Sequence, residues 1–464
     1  MNVTRHMSVH AMGAGTTMHD RSVEERVRDF TEVDTGCTLD EAKAESERCL
    51  QCKNPLCVKG CPVNIDIPAF IREVAAGDIR KAAVIIKEQN MLPAICGRVC
   101  PQEVQCEGQC ILGKKAKPIA IGMLERFVAD WERQHGMVLP QKKPATGRRV
   151  AVVGAGPAGL TASAELARMG HKVTLFESLH AAGGVLMYGI PSFRLPKEIV
   201  KAEVDAVLSL GVDLRLNHLV GRSVPVQELL NYDAVFLGTG AGLPYFMGLP
   251  GENLPGVYSA NEFLTRVNLM HADRFPVFDT PVKRGSRVVV AGGGNVAMDA
   301  ARVARRLGAK VTLVYRRREE DLPARAAEVA RAQEEGVEFV CCANPVRILG
   351  DQVMTGVECV RMEMCALDAS GRPEPARKDG SEFVIDADIF IAAIGQGPNP
   401  LLISEIPGLK RGKRGNVMVD DDFRTSQRKI YAGGDVATGA ATVILAMGAA
   451  KSAAQAIDRM FRQE

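Results

Sequence analysis

The 464-residue sequence predicts an α/β fold: a helical, cysteine-rich N-terminal domain followed by two doubly wound domains, the second inserted in the first. Three observations predict it. Nine of the thirteen cysteines fall between Cys37 and Cys110, in a stretch whose apolar residues recur at helical spacing. A strand, glycine turn, helix and strand begin at Arg149 (RVAVVGAGPAGLTASAELARMGHKVTLFES), and about 140 residues later the chain repeats them (RVVVAGGGNVAMDAARVARRLGAKVTLVYRR). A further glycine turn and apolar helix follow in YAGGDVATGAATVILAMGAAKSAAQAI.

Residues 1–35 are polar and are expected to form a poorly ordered tail or arm. Residues 36–145 form the helical domain, where Thr38 reads as an N-cap with Glu41 at the capping-box position. The stretch DIPAFIREVAAGDIRKAAVIIKEQN continues with helical periodicity, and the basic linker QKKPATGRR ends the domain. The first doubly wound domain is expected over 146–255 and again over 399–464, with the second over 256–398 between its halves. A net charge of +3 and 24% charged residues give no reason to expect nucleic acid or an anionic membrane as partner. No apolar run reaches the length of a membrane span, and the first residues lack the apolar core of a secretory signal, so a cytoplasmic protein is expected.

In the first βαβ unit Gly154, Gly156 and Gly159 follow a strand, and Pro157 and Ala158 open the helix. These glycines serve a tight turn, close approach of backbone to a pyrophosphate, and helix–sheet packing in Rossmann-like domains. Glu177, 23 residues after Gly154, suits a ribose hydroxyl pair. The second unit reads Gly292, Gly293, Gly294, then Asn295, Val296 and Ala297, the permitted variant with alanine for the third glycine. At the matching acidic position stands Tyr315, followed by Arg316, Arg317 and Arg318. Loss of the acid and gain of guanidinium groups suits a 2′-phosphate, hence NADP(H); the bland alternative is a solvated charge run.

Gly434 and Asp435, with Thr442 and Val443 at the following helix start, resemble the second FAD motif of two-dinucleotide-binding flavoproteins. That resemblance makes the first unit the FAD adenylate site, and GVLMYGIP (with Gly184) and FLGTGA (with Gly240) its flavin-side loops. Flavoproteins of this group often reduce a dithiol, but residues 111–340 contain no cysteine and adjacent Cys341 and Cys342 cannot form an unstrained disulfide.

The remaining thiols offer another exit for electrons. Cys49, Cys52, Cys57 and Cys61 precede Pro62, and a second run supplies Cys96, Cys100 before Pro101, Cys106 and Cys110. Eight thiolates are the number two 4Fe–4S clusters need. In two-cluster ferredoxins the last cysteine of a run ligates the other cluster, which assigns Cys49, Cys52, Cys57 and Cys110 to one cluster and Cys61, Cys96, Cys100 and Cys106 to the other. Zinc is the rival, although a paired-knuckle site would want a second C-x2-C; disulfides are disfavoured in a reducing compartment. Glu103 is expected only to support a cluster, and Cys37 to be a free thiol.

From about Thr38 onward the two cysteine runs, GAGPAG, GGGNVAMDAARVARRLGA, VYRRREEDLPA and AGGDVATGA resemble the glutamate synthase small (β) subunit family. The resemblance implies an adrenodoxin-reductase-like FAD/NADPH core with two 4Fe–4S clusters, reduced by NADPH and delivering electrons to a partner. That partner is the glutamate synthase large subunit or, in the related large subunit of NADH-dependent reduced ferredoxin:NADP oxidoreductase, a flavin/2Fe–2S small subunit and ferredoxin. The N-terminal half of dihydropyrimidine dehydrogenase is a further relative. No side-chain acid or base is required, and no histidine follows His271. A competing class is a non-catalytic flavin-binding scaffold with structural zinc.

Overall fold

A computed structural model describes residues 20–367 and 373–463. Thr38 starts α1 (Leu39–Glu47), and Glu41 returns its carboxylate to the Thr38 N–H at 2.7 Å, closing the capping box. The periodic stretch that follows is two helices. α2 (Ile67–Ala76) ends on Gly77 at φ +83°, and Asp78 caps α3 (Ile79–Lys87) by accepting from the Lys81 N–H. α4 (Pro93–Val99) stops at Cys100, which adopts the extended conformation imposed on a residue before proline. α5 (Ile121–His135) crosses α4 at Gly97, where a Cβ would stand 2.6 Å from the Arg126 backbone nitrogen.

The chain then alternates strand and helix: β1 (Arg149–Val153), α6 (Pro157–Arg168), β2 (Lys172–Phe176), α7 (Lys197–Leu208), β3 (Asp213–Arg215) and β4 (Ala234–Leu237). A second series runs β5 (Val257–Ser259), α8 (Ala260–Asn268), β6 (Arg287–Ala291), α9 (Asn295–Arg306), β7 (Lys310–Tyr315), α10 (Ala326–Glu334) and β8 (Glu338–Cys341). An antiparallel meander, β9 (Ala343–Gly350), β10 (Met354–Leu367) and β11 (Pro373–Asp386), precedes β12 (Ile389–Ala392). After it come β13 (Ile430–Ala432), a helical turn at Asp435–Thr438, and α11 (Val443–Gln463).

The two large sheets share one topology. Their orders are β13-β4-β1-β2-β3 and β5-β12-β6-β7-β8, all parallel. In each, the order reverses beside the strand that carries the glycine turn, opening the crevice where doubly wound sheets bind ligands. Both central strands are buried apolar runs, as parallel strands covered on two faces must be.

The chain forms two compact units. One holds Thr35–Met187, Arg194–Leu243 and Gln396–Glu464, so the cysteine module and the first sheet belong together. The other holds Pro244–Gly395, Tyr188–Phe193 and, among the described residues, 20–34. The inserted unit thus begins at Pro244 rather than 256 and closes at Gly395 rather than 398. Residues 1–19 of the expected tail lie outside the described residues, but 20–34 correct that expectation. Ser22 and Glu25 cap a helical turn at Val23–Arg26, Arg331 pairs with Asp20 at 2.7 Å, and Arg26 reaches the buried Glu335 at 3.1 Å. Buried charge, invisible in a polar stretch of sequence, holds this arm to its unit.

Candidate cofactor sites

At the first glycine turn Gly154 has φ +98°, and a Cβ there would lie 2.5 Å from the Gly238 carbonyl oxygen. Gly159 packs so closely that a Cβ would fall 1.7 Å from the Gly154 oxygen. Gly156 is different: nothing but the Gly184 Cα, at 3.8 Å, approaches its Cβ position. That is the space a pyrophosphate needs at the N-terminus of α6, which Pro157 and Ala158 open. Glu177 is buried and accepts from the N–H groups of Ala155 (2.8 Å) and Leu179 (2.9 Å) and the Ser178 hydroxyl (3.1 Å). A carboxylate has about four acceptor positions, so one remains for a ribose hydroxyl.

Two more of the residues assigned to this cofactor, Gly184 and Gly434, pack against the same turn. A Cβ on Gly184 would meet the Gly156 Cα at 2.7 Å, and one on Gly434 would meet the Ala158 side chain at 3.0 Å. Gly240 follows β4 at φ +68° with open space around it. Asp435 accepts from the Ala441 N–H, and burial pushes its carboxyl above the ordinary value. Thr442 takes the Leu445 N–H on its hydroxyl just before α11 begins at Val443.

The second turn repeats the geometry. A Cβ on Gly292 would lie 2.3 Å from the Ala393 oxygen, while nothing lies within 4 Å of the Gly294 position at the start of α9. Gly293 backs onto the Tyr315 ring, Asn295 accepts the Arg325 N–H at 3.0 Å, Val296 is exposed and Ala297 is buried. The arginines after Tyr315 do not share a face. Arg316 is exposed, whereas Arg317 is buried and donates its Nε to the Pro373 carbonyl at 2.8 Å. Arg318 pairs with Glu320 and Asp321. The twofold alternation at the end of β7 produces this split.

Four thiols line each of two pockets. Cys49, Cys52, Cys57 and Cys110 line the first, with Leu50, Leu56 and Ile111 beside them. Cys61, Cys96, Cys100 and Cys106 line the second, together with Glu125 of α5 and Ile444 of α11. Burial raises the Cys57 and Cys61 thiols to about 11. Such thiols are neutral at pH 7 unless a metal takes them as thiolates. All thirteen cysteines are unbridged. Four thiolates on one zinc, at about 2.3 Å each, would stand within about 4 Å of one another. Among the described residues no three His, Cys, Asp or Glu side chains converge in that way. Four thiols to a pocket match the four-cysteine set that one 4Fe–4S cluster takes.

Several neighbours of the second pocket escaped the reading of the sequence. Asn90 accepts the Leu92 N–H, faces the Cys96 thiol at 3.8 Å and donates to Glu125 at 2.7 Å. Burial raises the Glu125 carboxyl to about 8. Gln102 donates to the Cys96 carbonyl, and the Met447 sulfur lies 3.6 Å from the Cys96 sulfur. Glu103, by contrast, is exposed and lines neither pocket. On α11, Gly448 lets the helix touch the loop after Cys61; a Cβ there would be 2.7 Å from the Pro62 oxygen. Lys451 donates to the Val63 and Gln89 carbonyls at 3.0 and 3.1 Å, fastening the same helix to the cysteine module.

Two glycine turns on parallel sheets, with a thiol-lined helical module, define a flavoprotein oxidoreductase that uses a pyridine nucleotide and carries an iron–sulfur domain. Residues 148–457 match the family model for pyridine nucleotide-disulphide oxidoreductases, and residues 26–137 match that of dihydropyrimidine dehydrogenase domain II, 4Fe-4S cluster. The chain belongs to the glutamate synthase small-chain family, being 38% identical to the glutamate synthase (NADPH) small chain of Halomonas elongata across 93% of both chains. It is also 40% identical to the NADP(+)-dependent formate dehydrogenase subunit beta of Moorella thermoacetica, over 88% of this chain and 60% of that one. Among solved structures, FprA from Mycobacterium tuberculosis in complex with NADPH shares the fold at TM-score 0.59 and 20% identity, over 68% of this chain and 85% of FprA. The protein is an NADPH-dependent oxidoreductase with FAD, NADP(H) and 4Fe–4S as cofactors, which sets aside the non-catalytic zinc scaffold. Among the described residues no helix is long and apolar enough to cross a membrane.

Proposed function

We propose that this chain is the electron-input subunit of a larger enzyme of the glutamate synthase type, working in the cytoplasm with two 4Fe–4S clusters. When bound, FAD accepts hydride from NADPH and the clusters carry single electrons onward. The observation that carries the reading is the lining of the second thiol pocket: Ile444 belongs to α11, the helix whose first residues form the flavin motif. Cys61, Cys96, Cys100 and Cys106 would therefore hold the cluster nearer the flavin, and Cys49, Cys52, Cys57 and Cys110 the outer one.

The protein's own contribution is binding and orientation. Gly156 and Gly294 leave room for the two pyrophosphates, Glu177 holds a ribose, and Arg316 reads the 2′-phosphate. Asn90 accepts the Leu92 N–H where α4 begins and Gln102 donates to the Cys96 carbonyl, bracing the helix that carries Cys96.

Anaerobic stopped-flow mixing with NADPH tests the reading: the flavin absorbance should bleach, and ferricyanide should accept the electrons. Cys52→Ser should remove about half of the iron, since each cluster takes four cysteines, and leave the FAD content unchanged. No glutamate should form from glutamine and 2-oxoglutarate with this chain alone, because a synthase barrel would need about 250 further residues. Glutamate formation by the single chain, or full iron content without these cysteines, would refute the proposal.

A further inference from the structure

The two thiol pockets differ in their relation to solvent. Cys61, Cys96 and Cys100 are buried, whereas Cys49, Cys52, Cys57 and Cys110 are each only half-buried. Around the outer pocket stand Leu50, Leu56 and Ile111, which are 58%, 37% and 39% exposed. The same segments carry the exposed lysines Lys53, Lys59, Lys114, Lys115 and Lys117. Residues 48–60 and 110–117 contain no aspartate or glutamate.

Among the described residues, Arg48 is the one basic group of this face with a carboxylate partner. Glu45 holds it at 2.6 Å, and it donates to the Lys117 carbonyl at 2.7 Å, joining the two segments into one face. Glu107, the nearest acid in the second run, is engaged by the Gly122 N–H at 2.9 Å. Glu47, exposed two residues before Cys49, is the acid nearest this face in sequence, so the outer pocket opens through an apolar ring within a predominantly basic rim.

We propose that this face docks an acidic one-electron protein or subunit, to which the outer cluster delivers its electrons. The proposal rests on the function argued above, and it names the chemistry of the partner. A basic rim steers an acidic protein by long-range attraction, and the exposed leucines and isoleucine supply the desolvated centre that a short-lived electron-transfer complex needs. The electrons balance: one NADPH yields NADP+, a proton and two electrons, and two acceptor molecules take one each. An anionic lipid surface would satisfy the lysines but could not take the electrons.

The test uses the full holoprotein and a purified plant-type 2Fe–2S ferredoxin as acidic probe. Calorimetric titration with both proteins oxidised gives the affinity, and NADPH-driven ferredoxin reduction gives KM and kcat. The variant Lys53→Gln/Lys114→Gln/Lys115→Gln should raise both Kd and KM about tenfold at low ionic strength, with the difference vanishing as salt screens the charges. Iron content, kcat and flavin bleaching by NADPH should not change. The variant Lys201→Gln/Lys413→Gln, equally exposed but elsewhere, should behave as the wild type.

Unchanged Kd and unchanged salt dependence in the triple variant, with flavin bleaching intact, would overturn the docking face while leaving the NADPH reading in place. Failure of NADPH to bleach the flavin would overturn both. Lysine-dependent self-association in sedimentation, or binding to phosphatidylserine vesicles but not to ferredoxin, would also overturn it.

Discussion

Arg316 and Arg317 are neighbours in sequence with opposite environments, and their substitution should separate two effects. Arg316→Gln should weaken NADPH about tenfold to a hundredfold while sparing NADH, since a charge-assisted phosphate contact contributes about 1.5–3 kcal/mol. Arg317→Gln should leave the NADPH/NADH preference alone and lower the melting temperature, because its Nε serves the Pro373 carbonyl. Nucleotide titrations of both variants check the pair. Glu335 offers a second single-residue test. Burial alone would raise its carboxyl, but hydrogen bonds from Arg302 and Arg306 outweigh it and hold the pKa below the ordinary value. A depressed carboxylate stabilises the fold above its unfolded pKa, about 4.3 for glutamate, and that stability is lost as pH falls through the folded value. Denaturant midpoints should therefore drop below about pH 4.5 in the wild type. Glu335→Gln should lose about 3–5 kcal/mol at pH 7, since it takes the shared carboxylate from buried Arg306 and leaves Arg302 only Glu328, and should show less of that acid dependence.

Among the elements, α11 carries the most consequence, since it begins at the flavin motif and its first turn reaches the second thiol pocket through Ile444 and Met447. Gly448→Ala would place a methyl 2.7 Å from the Pro62 oxygen, where backbone cannot yield cheaply. Overpacking of this kind costs about 1–3 kcal/mol, and iron should be lost preferentially over FAD, which iron and flavin assays on the same preparation would show. Local grammar made many elements legible beforehand. The Thr38–Glu41 box, the glycine turns and both repeated βαβ units are written within a few consecutive residues. Gly77-Asp78 is equally local, and it divides the stretch of helical periodicity into α2 and α3. The surroundings of the thiols were less legible for another reason. Asn90, Glu125 and Met447 come from three distant segments, and nothing in the sequence near any of them announces a cysteine. The opposite faces of Arg316 and Arg317 were available from strand alternation, but the doublet reads as a single charge unless the end of β7 is known.

For the molecule as a whole, the insertion places one fold within the sequence of another, and each has a core cluster of its own. The first unit's core draws on Val153, Val235 and Ile430, whereas the other's draws on Val290, Leu313 and Phe193. Removal of 20–34 should lower the thermal stability of the inserted unit, because Asp20 and Val33 contact it, while the flavin spectrum at low temperature should persist. Differential scanning calorimetry with flavin fluorescence would separate the two responses. The interleaving also bears on how the protein is made. β13 pairs with β4 through Tyr431 and Phe236, so the flavin sheet lacks an edge strand until about 190 residues beyond β4 have left the ribosome. At about 5–20 residues per second this is a delay of roughly 10–40 seconds. During that interval the inserted unit, whose strands β5 to β12 lie between Val257 and Ala392, is free to fold first. A nascent chain stalled before Ile430 should therefore bind nucleotide before it can bind flavin, and flavin supply in the cell meets this protein only once β13 has been made.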